Sequence, residues 1–195
     1  QAQWRTDPTR AGVAGCFGDI GSHAENLVSF VTGLDITSLC ADLSVFVDGR
    51  ELDDDGNVLM RFRGGAKGVI SASQIAVGKE NDLRLHVYGS AASLEWQQAD
   101  ANSLVVRFVD KPAVVHRTGG AGTSEISMSA TRLPAGHPEG YLEAFAQLYK
   151  EFCLTLTGDK SAGEFPTIVD GVRGMRFIER VVESSNAGGQ WVPFD

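Results

Sequence analysis

The feature that most constrains the fold of this chain is a row of strand candidates with no helical segment between them. Segments of alternating or β-branched apolar residues cover 36–47, 58–63, 68–76, 83–88, 93–97 and 104–109. Parallel strands need long crossovers, usually helices, whereas antiparallel strands are joined by short turns. The sequence therefore predicts a single open, predominantly antiparallel β-sheet.

Two of the connecting segments carry informative residues. The turn 64–67 contains Gly64 and Gly65 and is typical of a tight hairpin. The segment 48–56 contains three consecutive aspartates, at 53–55, and we interpret it as a solvated turn. Its spacing lacks the central glycine and distal glutamate of an EF-hand loop, so it does not indicate a calcium site.

Helical periodicity flanks the strands. Apolar residues recur at helical spacing in 19–32, 138–157 and 166–184, and these stripes predict packing against a core. Segment 111–140 is the least regular and is interpreted as a loop. The fold class is thus α+β, one domain over residues 1–195, with helices packed on one face of the sheet and the other face left free for a partner.

Composition excludes several function classes. The 195 residues carry a formal net charge of −8, which disfavours nucleic acid and anionic membranes as partners. No apolar run approaches the roughly 18 residues of a membrane span. The three cysteines are odd in number and lack metal-type spacing, so we expect reduced thiols in a cytoplasmic protein.

The motif with most chemical content is Asp19-Ile20-Gly21-Ser22-His23, at the start of the first helical segment. Residues at i and i+4 share one helix face, about 5–6 Å apart at Cβ. A carboxylate and an imidazole so placed can reach one small ligand, and imidazole transfers protons near neutral pH. The alternative is that Asp19 caps the helix and His23 is an ordinary surface residue.

The order of motifs along the chain resembles a known family. The run 14–27, the turn 64–68, the Val87-Tyr88-Gly89-Ser90 turn before Leu94-Glu95-Trp96, and the segment 165–171 occur in this order. Together they resemble the C-terminal domain of Gfo/Idh/MocA oxidoreductases, relatives of glucose–fructose oxidoreductase and inositol dehydrogenase. The resemblance covers nearly the whole chain.

This resemblance implies a two-domain enzyme that oxidises a sugar, cyclitol or related polyol with NAD or NADP. Its C-terminal domain has a fold of the glyceraldehyde-3-phosphate dehydrogenase-like type. The cofactor and a catalytic lysine belong to an N-terminal Rossmann domain, whose Gly-x-Gly-x-x-Gly fingerprint we do not find here. We therefore expect residues 1–195 to be the substrate-binding and oligomerisation part of a longer polypeptide, inactive alone and homo-oligomeric through the open sheet face.

By the same resemblance, His23 is the general base and Asp19 holds the substrate hydroxyl or steers the imidazole. The weaker candidates for substrate contact are Asn26, His137, Arg5 and Trp4. Asn26 lies three residues beyond His23 on the helix, and His137 lies where the irregular segment meets a helix. Trp4 and Arg5 offer an aromatic face and guanidinium donors suited to sugars, or else interdomain contacts.

Two other function classes remain open. The same fold could be a non-enzymatic binding or dimerisation module, with Asp19 and His23 without catalytic function. A metallohydrolase using these two residues as ligands is a weaker alternative, because no third or fourth ligand has a recognisable spacing.

Overall fold

The computed structural model describes residues 3–159, 163 and 165–194. Its longer elements follow the predicted order, helix, strands and two closing helices. The helices are α1 (Pro8–Ala11), α2 (Ser22–Thr32), α3 (Glu125–Ala130), α4 (Tyr141–Leu156) and α5 (Ile168–Asn186). The strands are β1 (Ile36–Ser44), β2 (Asp55–Phe62), β3 (Lys67–Ser73), β4 (Arg84–Tyr88), β5 (Ala92–Gln97), β6 (Ser103–Phe108), β7 (Val114–Arg117) and β8 (Val192–Pro193).

The predicted α+β class is confirmed, but the strands form two four-stranded antiparallel sheets instead of one. The orders are β3-β2-β1-β8 and β4-β5-β6-β7. Residues 74–83, between β3 and β4, include no strand, and β3 pairs with β2 alone among the described strands. The chain accordingly divides into two compact units, one combining Gln1–Gly78 with Pro166–Asp195 and the other comprising Lys79–Phe165.

The first unit has a helix-on-sheet core, because β2 alternates strictly between its two faces. Val58, Met60 and Phe62 point inward and are buried, whereas Leu59 is half exposed on the opposite face. α2 and α5 cover the inner face, and Phe177 of α5 is fully buried there. One face of this sheet is thus covered by helices, as predicted.

The predicted solvated turn at the three aspartates is wrong. Asp53 and Asp54 are buried, at 8% and 0% exposure. The Asp54 carboxylate accepts the backbone N–H groups of Phe46 and Val47, both at 2.9 Å. These bonds compensate the burial of the charge, and they turn the chain where the sequence predicted β1 to continue to residue 47.

The second unit is a meander whose last strand and short helix were not predicted. β7 and α3 both lie in the stretch 111–140 that we interpreted as a loop; each is at most six residues long and has no sustained periodicity. α4 was expected to bury its apolar stripe. Instead Tyr141, Leu142 and Leu156 are at least 70% exposed.

Candidate functional site

The candidate site begins at a turn that a distant aspartate holds in place. The Asp53 carboxylate accepts the N–H groups of Gly15, at 2.6 Å, and Phe17, at 2.8 Å. Its main-chain carbonyl accepts the N–H of Cys16, at 2.8 Å. Three consecutive amides, which would otherwise lack partners at a helix start, are therefore bound by one residue just before β2.

The helix starts two residues earlier than predicted and in a different geometry. Phe17–Gly21 forms a π-helical turn that leads directly into α2, with the Ser22 N–H donating to the Phe17 carbonyl. Such turns occur mainly as single insertions in helices, frequently at functional sites. Asp19 lies in the middle of this turn, and its own N–H donates to the Gly15 carbonyl at 3.0 Å.

Asp19 is not the helix cap, since its side chain bonds to other side chains. Arg5 Nη1 and Gln74 Nε2 each donate to Asp19 Oδ2, at 3.1 Å. Arg5 also lies over the Trp4 ring, 5.6 Å from its centroid, and Trp4 is 45% exposed. Of the predicted residues, Arg5 is thus bonded to Asp19, as is Gln74, and Trp4 lies beside Arg5.

His23 and Asn26 follow on α2. His23 is exposed, and Asn26, one turn further along the helix, is half-buried. The i, i+4 spacing of Asp19 and His23 therefore spans the junction between the π-helical turn and α2.

His137, by contrast, belongs to the second unit. It is exposed, and its Nδ1 lies 3.1 Å from the Pro134 carbonyl oxygen. Its contact with substrate stays a prediction.

A small cavity lies beneath this cluster. It has a volume of about 10 Å³, and its lining includes Arg5, Gly15, Asp53 and Gln74. That is about the space of a single water molecule. This cavity is therefore too small to hold a ligand of the size of a sugar.

A buried ion pair connects α2 to α5 behind the site. Arg173 Nε donates to Glu25 Oε1 at 3.0 Å, and Arg173 Nη1 donates to Asp170 Oδ1 at 2.9 Å. Glu25 is 2% exposed, and within the described residues its Oε2 has no hydrogen-bond partner. Burial raises the pKa of the Glu25 carboxyl, and Arg173 offsets only part of this effect.

Reading the sequence missed Gln74 and Asp53. Gln74 directly follows β3 and is 55 positions from its partner Asp19, so no local pattern connects the two. Asp53 is 38 and 36 positions from the two amides that its carboxylate binds, so no local pattern connects it to this turn either.

The described residues were also searched for metal-ligand clusters and for membrane-spanning helices. No group of three or more His, Cys, Asp or Glu side chains in residues 3–159, 163 and 165–194 could hold a metal ion. The described helices include none with both the length and the apolarity to cross a membrane.

Known proteins resemble this chain in fold and in sequence. The profile of the GFO/IDH/MocA C-terminal domain matches residues 1–95. An oxidoreductase from Sinorhizobium meliloti is 45% identical, with a TM-score of 0.87 over 91% of this chain and 51% of its own. An inositol dehydrogenase homolog from Azotobacter vinelandii, complexed with NAD+, is 35% identical, with a TM-score of 0.93 over 98% of this chain and 52% of its own.

A further structure, of an inositol dehydrogenase homolog from Azotobacter vinelandii complexed with NADH and myo-inositol, is 32% identical. Its TM-score is 0.90, over 98% of this chain and 52% of its own. The chain thus spans about half the length of the proteins it matches. The chain belongs to the GFO/IDH/MocA oxidoreductase family and corresponds to its C-terminal domain.

Proposed function

We propose that this chain is the substrate-binding part of an NAD- or NADP-dependent dehydrogenase acting on a sugar, cyclitol or related polyol. The observation that supports this most is the Asp19 carboxylate, fixed by Arg5 and Gln74 one helical turn before the exposed His23. Similar proteins complexed with NAD+, and with NADH and myo-inositol, support the cofactor and substrate class.

In the proposed reaction a carbinol becomes a carbonyl. His23 accepts the proton of the substrate hydroxyl while the carbon loses its hydride. The nicotinamide, when bound, supplies the hydride acceptor. Both donors to Asp19 use Oδ2, so Oδ1 can accept a hydrogen bond from the same or a neighbouring hydroxyl.

The residues of this chain fit the substrate side of that reaction and not the dinucleotide itself. The glycines at 119, 120 and 122 are not followed by the Lys-Ser/Thr pair and helix of a phosphate-binding loop. We propose that a Rossmann domain on the same polypeptide holds the cofactor and completes the site. This protein would be cytoplasmic, consistent with the three free cysteines.

The experiment is a substrate screen on the full-length protein. Cyclitols, aldoses and sugar alcohols are each assayed with NAD+ and with NADP+, by the absorbance of the reduced nicotinamide. On the best substrate, His23→Ala should lower kcat by about 10²–10⁴-fold. The control is His86→Ala, which removes a histidine that is also exposed, on β4 in the other unit. Equal turnover by both variants would remove His23 from the mechanism.

We also propose that the outer face of the first sheet mediates self-association. Leu59 and Val69 are paired across β2 and β3 on that face and are 49% and 65% exposed. Val69→Lys should therefore shift the sedimentation coefficient of the protein to that of a monomer. Self-association that needs this face, in a protein without dehydrogenase activity on any substrate, would favour the binding-module alternative.

A further inference from the structure

We infer that Asp53 is a positioning residue for the proposed acid–base pair, an inference that rests on the proposed function. Within the described residues, the hydrogen bonds of Asp53 include none to the Asp19 or His23 side chain. Its carboxylate holds the backbone from which both project, through the N–H groups of Gly15 and Phe17.

The path from Asp53 to Asp19 contains only two hydrogen bonds. Asp53 binds the Gly15 N–H at 2.6 Å, and the Gly15 carbonyl accepts the Asp19 N–H at 3.0 Å. An ionised carboxylate that accepts two amides at such distances forms charge-assisted bonds, which are stronger than neutral ones. The negative charge also lies at a helix N-terminus, where the helix dipole stabilises it.

The closeness of this contact depends on glycine at position 15. A Cβ there would lie 2.3 Å from the Asp53 carbonyl oxygen and 3.0 Å from the Leu52 Cβ. The backbone of the turn therefore lies directly against Leu52 and Asp53, just before β2. Since β2 is a central strand of the first sheet, Asp53, two residues before it, connects the sheet to the turn that carries Asp19.

The neighbouring aspartate provides a matched control. Asp54 is buried still more completely and also accepts two backbone N–H groups, each at 2.9 Å. Those groups belong to Phe46 and Val47, in the loop after β1, and not to the turn that carries Asp19. Asparagine at either position keeps one acceptor and puts an N–H donor against a backbone N–H.

The test compares Asp53→Asn with Asp54→Asn in the full-length enzyme. Misplacing a reacting group by about 1 Å can cost about 10²-fold in rate. We expect Asp53→Asn to lower kcat by about that factor with KM changed less than about threefold, and Asp54→Asn to leave kcat within about twofold. Should Asp53→Asn not fold, Asp53→Ser replaces it, since a hydroxyl can still accept one of the two amides.

A second readout does not depend on turnover. In ¹H–¹⁵N spectra of the same proteins, the Asp19 amide and the His23 ring nitrogens should shift in the Asp53 variant and not in the Asp54 variant. If His23→Ala retains full turnover, the proposed base is wrong, and the spectra alone decide whether Asp53 positions the turn. If His23 is essential but the two aspartate variants agree in kcat and in spectra, the inference about Asp53 is overturned.

Discussion

The buried Glu25–Arg173 pair gives a stability prediction that can be worked from the structure. Arg173→Met keeps much of the side-chain length but removes the partner of Glu25, which is 2% exposed and whose Oε2 already has no partner among the described residues. Removing one partner of a buried ion pair costs about 3–5 kcal/mol. Because the Arg173 side chain is 27% exposed, we expect the lower end, a free energy of unfolding reduced by about 3 kcal/mol.

The pH dependence of this loss follows from the raised pKa of Glu25. The folded protein holds the Glu25 proton more tightly than the unfolded chain, whose glutamate has the ordinary pKa of 4.5. The stabilisation of the folded state by this bound proton is fully present below pH 4.5 and is lost as the pH rises through the folded-state pKa. Arg173→Met raises that pKa further, so the variant should be close to the parent at about pH 4 and most destabilised near neutrality.

The assay is urea denaturation followed by far-UV circular dichroism at several pH values. The double variant Glu25→Met/Arg173→Met is the control, because replacing both ions by apolar side chains is often neutral. We expect it to recover most of the stability at neutral pH. A single variant within about 1 kcal/mol of the parent, or a double variant no better than the single one, would refute the reasoning.

Three further predictions follow from other contacts. Gly15→Ala should lower the free energy of unfolding by about 1–3 kcal/mol in urea denaturation, because its Cβ would lie 2.3 Å from the Asp53 carbonyl oxygen; unchanged stability would contradict this close approach. Burial raises the pKa of Cys16 to about 12, so iodoacetamide at about pH 8 should modify the exposed Cys153 first, and early labelling of Cys16 by mass spectrometry would be inconsistent with its burial. Hydrogen bonds from Thr167, the N-cap residue of α5, lower the pKa of Asp170 to about 2. The stabilisation that Asp170 gives is therefore present above its ordinary pKa of 3.8 and is lost as the pH falls toward 2. Hydrogen exchange in the first turn of α5 should accelerate over that range, but not in Asp170→Asn.

The sequence predicted the parts of the fold that depend on local periodicity. β2 and the hairpin to β3 are examples, since alternation and the Gly64-Gly65 turn are both local, and Phe62 N–H donates to the Ala66 carbonyl at 2.9 Å as expected for a tight turn. Short elements were missed: β7 has four residues and is held in the sheet by its pairing with β6.

For the candidate site, the sequence supplied the central residues but not their support. Asp19, His23 and Arg5 were singled out from the sequence. Gln74 is 55 positions from Asp19, to which it donates, and Asp53 is 38 positions from Gly15, whose N–H it accepts. For an aspartate in an acidic run, the sequence predicts exposure to solvent unless the backbone amides that bind it are known. Burial of Asp53 becomes favourable only because the tertiary fold brings it the amides of a helix start.

In the proposed mechanism, His23 takes the proton from the substrate hydroxyl. A crystal structure of the full-length protein with nicotinamide cofactor and the best substrate from the screen tests this most directly. We predict that a His23 ring nitrogen lies about 2.6–3.2 Å from the oxygen on the carbon facing the nicotinamide, with Asp19 bound to the same or a neighbouring hydroxyl. A reacting oxygen held by another side chain, with His23 more than about 5 Å away and no bridging water, would contradict the account.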